Sequence, residues 1–199
     1  MRPDPIVMAF DTSAAHCAAA LLLGDRVVTR VDDMAKGQAE HLMPMLQEML
    51  KDAAVNWGDL DAIGVGIGPG NFTGIRISVA AARGLALGLG KPAIGVSGFA
   101  ARAFGAALPA TAIIPAPRGQ CYVQDFSASA AVSTPLLALQ ETLQPTHPLV
   151  AEKTPQQLVA AIAHIAAARM GAAPERPAPL YVRRADAAPA RDAAPMILS

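Results

Sequence analysis

The sequence predicts an α/β fold: one mixed sheet flanked by helices, with a shortened second subdomain. Three observations carry this expectation. The chain opens on three strand-like runs joined by tight turns, it then alternates helical and strand periods, and its texture changes beyond Pro109. Three antiparallel strands followed by helix, strand, helix, strand and helix is the order of a ribonuclease-H-like sheet, the half-unit of the actin-like fold. The expected division is residues 1–108 for the first subdomain, 109–184 for the second, and a flexible tail over 185–199.

The elements follow in order. "IVMAF" (Ile6 to Phe10), "HCAAALLL" (His16 to Leu23) and "RVVTRV" (Arg26 to Val31) are short, apolar and β-prone, and the Gly24-Asp25 turn between the last two is a hairpin signal. From about Gln38 to Ala54 the period becomes helical, with Leu42, Met45, Leu46, Met49, Leu50 and Ala53 on one stripe and Pro44 expected in the first turn. "AIGVGIG" reads as a buried strand, Thr73 to Leu89 as a helix closed by Gly90, and "PAIGV" as another buried strand. Ser97 then caps a third helix, expected to reach about Ala107. Beyond Pro109 come strand-like "TAIIPA" and "CYVQDF", an Ala/Ser/Thr passage, and a helix from a Thr154 cap with Pro155 at its first position to Met170.

Composition narrows the function classes. Sixteen basic side chains balance sixteen acidic ones, so the chain lacks the surplus with which a protein grips nucleic acid unaided, and Arg183–Arg184 is only a short cluster. Cys17 and Cys121 stand far apart in apolar settings without a CxxC, which predicts buried free thiols in a reducing compartment. No run suits a signal peptide, and Gly, Pro or charge interrupts every long apolar stretch, so no membrane span and a cytoplasmic location are expected.

The glycine-rich stretch "GIGPGNFTGIR" (Gly66 to Arg76) raises the question of phosphate binding, since bare N–H groups at a helix N-terminus make an anion site. It fits neither GxGxxG nor a P-loop, as no GK[ST] follows. Gly68 and Gly70 flank Pro69 in a turn expected to need unusual φ, Asn71 tolerates such conformations, and Thr73 and Gly74 start a helix that packs closely. Asp11, Thr12 and Ser13 end the first strand where an actin-like ATPase holds its first phosphate loop; a turn stabilised by Asx and hydroxyl bonds is the other reading. Asp11, Thr12, Ser13, Gly68, Gly70 and Thr73 are thus an anion loop or a structural one. After Gly119 the chain has a single glycine, Gly171, and so lacks a second crevice for adenosine. His16, His41, His147 and His164 are scattered with no HExxH or HxxxH, which leaves no metal site and no cofactor to expect.

"MAFDTSAAHCAAALL", "EHLMPMLQEML", "IGVGIGPGNFTGIRIS", "GLALGLGKPAIGVS" and the later "PLYVRR" together resemble the bacterial TsaB (YeaZ) family, from about Ile6 to Val182 in outline. The resemblance implies the dimerisation subunit of the tRNA threonylcarbamoyladenosine-synthesising complex. Such a subunit is non-catalytic and supports a TsaD-type threonylcarbamoyltransferase acting next to the tRNA anticodon, with a TsaE-type ATPase assisting. It forms a homodimer when alone and meets tRNA only through the complex. TsaD-like sequences carry an HxxxH metal pair after the strand that resembles "PAIGV"; Gly98 and Arg102 hold those places here. Family members commonly read Asp-Ala-Arg where this chain has Pro115-Ala116-Pro117. The rival classes are an actin-like ATPase or phosphotransferase, a metallopeptidase-like enzyme, and a self-sufficient RNA-binding module.

The expected partner surface is the first two helices. The first has Met43, Met45 and Met49 gathered near Leu42, Leu46 and Leu50, more apolar area than one stripe requires. The second offers small residues, Gly74, Ser78, Ala81, Ala82 and Gly88, with Ile75, Val79 and Leu85 adding apolar area. Two such pairs would form a four-helix contact, in line with what the resemblance implies.

Overall fold

The computed structural model describes residues 4–128, 132–172 and 175–182. Arg183, Arg184 and the expected tail over 185–199 lie outside the described residues. β1 (Ile6–Asp11), β2 (His16–Leu23) and β3 (Arg26–Asp33) form the opening meander; β4 (Ala62–Gly66) and β5 (Ala93–Val96) join it in parallel. The five-stranded order is β3-β2-β1-β4-β5, with β1 antiparallel to β2 and parallel to β4. This is the mixed ribonuclease-H-like sheet.

Period-two alternation gives that sheet two different faces. Met8, Phe10, Cys17, Ala19, Leu21, Ile63 and Val65 face one way, onto α1 (Gln38–Asp52) and α2 (Phe72–Leu89). Val7, Ala9, Ala18, Ala20, Leu22 and Ala62 face the other way, onto α4 (Pro155–Arg169). Alanines and Gly64 let α4 lie close: a Cβ built on Gly64 would stand 2.9 Å from that of Ala166. Thr154 caps α4, accepting from the Gln157 N–H, and Pro155 fills its first position.

Two boundaries differ from expectation. Pro44 sits in the second turn of α1, not the first, because the helix already starts at Gln38; the ring is exposed, and the Glu40 carbonyl it leaves without a donor is on the wet side. α3 (Gly98–Ala103) stops well before Ala107: Gly105 takes φ 74°, and the Lys153 ammonium bonds the carbonyls of Ala101 and Phe104 at the helix end. α2 corrects a third expectation, since its length and composition alone would let it cross a membrane; its inner residues Gly74, Ile75, Ser78, Val79 and Ala82 are buried against the sheet.

The second sheet is β6 (Ala110–Ala116), β7 (Gln120–Phe126) and β8 (Leu136–Leu139), antiparallel in that order. β8 falls in the Ala/Ser/Thr passage, where the sequence gives no strand signal. α4 follows this sheet in the chain yet packs on the first, so residues 110–149 form a lobe inserted between α3 and α4.

Candidate functional site

The glycine-rich loop joins β4 to α2 directly beneath the β1–β2 turn, and its polar groups are spent on that junction. The Asp11 carboxylate accepts from the Ser13 N–H at 2.7 Å and the Ser13 hydroxyl at 3.0 Å. Thr12 is fully buried and its hydroxyl donates to the Gly74 carbonyl at 2.6 Å. The Asn71 N–H donates to the Ser13 carbonyl at 2.7 Å, and the Gly98 N–H to that of Gly68 at 2.8 Å.

Only Gly68 of the two flanking glycines has the unusual backbone, at φ 90°. Gly70 does not; it is there for close approach, because a Cβ would lie 2.5 Å from the Ser13 carbonyl oxygen. Asn71 is likewise an ordinary cap at φ −60°, accepting from the Gly74 N–H at 2.9 Å. Gly74 is the tightest point: its Cβ would meet the Thr12 carbonyl oxygen at 1.9 Å. Thr73 stands apart from this junction, exposed beside α1.

The eleven residues expected at a partner surface divide sharply. Leu42, Met45, Leu46, Met49, Leu50, Ile75, Ser78, Val79 and Ala82 are all buried in the chain's own core, and Leu85 is partly buried against it. They hold α1 and α2 to the sheet, and of the buried ones only Leu42 also borders the groove between the two helices. Met43 alone of the eleven is exposed, at 39%.

The outer face of the same helices carries a different apolar set. A groove of about 500 Å³ runs between them, lined by Ala39, Met43, Phe72, Arg76, Ile77 and Ala80 among others. At one end the Arg76 guanidinium lies 3.8 Å over the Phe72 ring, its Nε donates to the Tyr181 hydroxyl at 3.0 Å, and the Phe72 and Tyr181 rings stack at 5.2 Å. Sequence reasoning missed Phe72, Ile77, Ala80 and Tyr181. The available signal was that α2 is apolar around most of its circumference, so a second stripe at Ile77, Ala80, Ala81 and Gly84 stands beside the core stripe.

A second concavity, about 530 Å³, lies between the two sheets. Asp11, Ser13, His16 and Asn71 reach it from the first; Ile114 and Tyr122 come from the second, and Arg102 stands on α3. Burial pushes the Arg102 guanidinium below its ordinary pKa, and the Asp11 and Glu152 carboxylates oppose that shift. Burial also lowers the Lys153 ammonium. Pro115 and Pro117 form part of the wall. Gly98 opens onto the same space.

Cys17 and Cys121 are buried free thiols. Burial, and secondarily the Asp32 carboxylate, pushes Cys17 up to about 11, so it stays protonated at neutral pH and is no nucleophile. Among the described residues no group of three or more His, Cys, Asp or Glu side chains stands close enough to hold a metal.

Residues 32–168 match the family described as "TsaD: tRNA N6-adenosine threonylcarbamoyltransferase". The chain belongs to the TsaD family. Among its curated relatives it is 34% identical over 125 residues to the tRNA threonylcarbamoyladenosine biosynthesis protein TsaB of Escherichia coli (strain K12), covering 60% of this chain and 54% of that protein. It is 35% identical over 99 residues to TsaB of Haemophilus influenzae, covering 49% and 41%. The chain thus spans about half the length of the curated relatives it matches. YeaZ from Pseudomonas aeruginosa superposes with a TM-score of 0.70 at 24% identity over 89% of this chain and 99% of that one, and shares the fold. The TsaB (YeaZ) likeness read from the sequence therefore stands.

Proposed function

We propose that the chain is a non-catalytic partner subunit in the formation of threonylcarbamoyladenosine on tRNA, docking on a TsaD-type threonylcarbamoyltransferase. The observation that carries the reading is the apolar groove on the outer face of α1 and α2, with Met43, Phe72 and Ala80 exposed along it and Ile77 half-buried at its floor. A thioether and a flat ring beside small alanines fit a helix from a related subunit, and two helix pairs meeting there make a four-helix contact. The same face pairs two copies when the partner is absent. A TsaE-type ATPase joins the paired subunits, tRNA is reached through the complex in the cytoplasm, and the chain itself holds no cofactor.

Co-purification with the TsaD-type protein of the same cell tests this. Met43→Glu and Ala80→Glu put charge into an apolar contact and should each weaken association by about 2 kcal/mol, roughly thirtyfold, while leaving circular dichroism unchanged. Leu46→Glu serves as contrast: it is fully buried, so it should unfold the chain. Unchanged assembly in both surface variants would refute the assigned face, and no association by wild type would refute the partner role.

A further inference from the structure

The cleft between the sheets carries an assignment of its own, independent of the partner reading. Its polar lining is rich in uncommitted donors. Among the described residues the Arg102 guanidinium makes one hydrogen bond, from Nη1 to the Gly98 carbonyl at 3.2 Å, and no ion pair. The Asn71 side chain uses its oxygen on the Gly74 N–H, and its NH₂ has no partner there; the Tyr122 hydroxyl has none either. Of the acidic groups near Arg102, Asp11 already accepts two bonds from Ser13, and Glu152 lies on the exposed side. The other cation, Lys153, is spent on the end of α3.

His16 also reaches the cleft, and the rest of its wall is apolar. Ile114, Leu158 and Val159 line the same space. Gly98 keeps head and wall adjacent: a Cβ there would stand 3.0 Å from Ile114 Cδ1 and 3.5 Å from Arg102 Nη1. A planar, half-buried guanidinium with free donors beside an aliphatic surface matches an oxyanion on a short hydrocarbon chain. We propose that the cleft binds a small aliphatic carboxylate, its head group paired with Arg102 and its body lying on Ile114, Leu158 and Val159.

Isothermal titration of the full chain with butyrate, neutral butyramide and inorganic phosphate tests this. Butyrate should bind in the millimolar range and butyramide at least about tenfold more weakly, the size of one charge-assisted hydrogen bond. Arg102→Gln should weaken butyrate by about the same factor, Tyr122→Phe by less, and Arg83→Gln, on the far side of the sheet, not at all. Equal binding of butyrate and butyramide, indifference to Arg102→Gln in a folded variant, or no binding by wild type would overturn the assignment. Phosphate binding without butyrate binding would overturn the carboxylate class. Where Arg102→Gln does not fold, the methyl resonances of Ile114 and Val159 in wild type decide: they should shift with butyrate, and unmoved methyls would also overturn it.

Discussion

Replacing Gly74 by alanine adds one carbon to a helix, a change that in an exposed helix interior stabilises by up to about 1 kcal/mol. Here the sign should reverse. The new Cβ would lie 1.9 Å from the Thr12 carbonyl oxygen and 2.9 Å from its carbon, so the obstacle is backbone and no rotamer relieves it. α2 or the β1–β2 turn must move by more than an ångström. That is overpacking at the upper end of its range, about 3 kcal/mol. The shift also strains the 2.6 Å bond from the Thr12 hydroxyl to the Gly74 carbonyl, a buried pair worth about 1 kcal/mol. After the helix-propensity gain, a net loss of about 3 kcal/mol remains. For a chain of this size that lowers Tm by roughly 6–12 °C. Differential scanning calorimetry reads it, and Thr12→Val, which removes the bond with little added bulk, should lose about 1–2 kcal/mol by itself. Because the two sites share one contact, the double variant should lose less than the sum. A Gly74→Ala protein melting within a degree of wild type would refute the close-approach reasoning.

Gly70→Val should likewise lower the melting temperature, since its Cβ would stand 2.5 Å from the Ser13 carbonyl oxygen; a wild-type melt with lost support of tRNA modification would make the loop functional instead. Cys17 gives a pH dependence. Its folded pKa of about 11 lies above the ordinary 9.0, so the unfolded chain releases the proton first and stability should fall as pH rises from about 9 to 11. Chemical denaturation across that range should show a slope that Cys17→Ala flattens. With a net charge of zero, the isolated chain should give no gel shift with tRNA at physiological salt; sub-micromolar binding would promote the RNA-binding class.

The first sheet was legible because alternation and turn chemistry agree there: Gly24 sits at φ 61° in the hairpin, and Thr154-Pro155 starts α4 where a cap and an N1 proline should. The role of α1 and α2 was legible only in part. Their stripes of Leu, Met and Ile mark faces to be buried, but a helix does not say whether its own sheet or another chain does the burying. Ile75 and Ile77 are indistinguishable in sequence, yet one is core and the other borders the groove. Gly70 shows a similar limit, because its reason is a carbonyl in another loop and not its own φ. β8 was missed since its pairing with β7 is set by tertiary partners, with Leu136 and Leu139 half in solvent.

The order of synthesis meets an obstacle in the placement of α4. Everything the first sheet needs on its Met8 and Phe10 face is made early, as α1 and α2 emerge before β5 is complete. The opposite face, of Val7, Ala9, Ala18 and Ala20, has its cover only in residues 155–169, after the whole inserted lobe has been translated. At about 5–20 residues per second, that leaves an apolar surface bare on the ribosome for several seconds. A nascent chain halted before residue 155 should therefore be held by chaperones and cut readily by protease, and release should coincide with the arrival of Ile162 and Ala166 on the sheet.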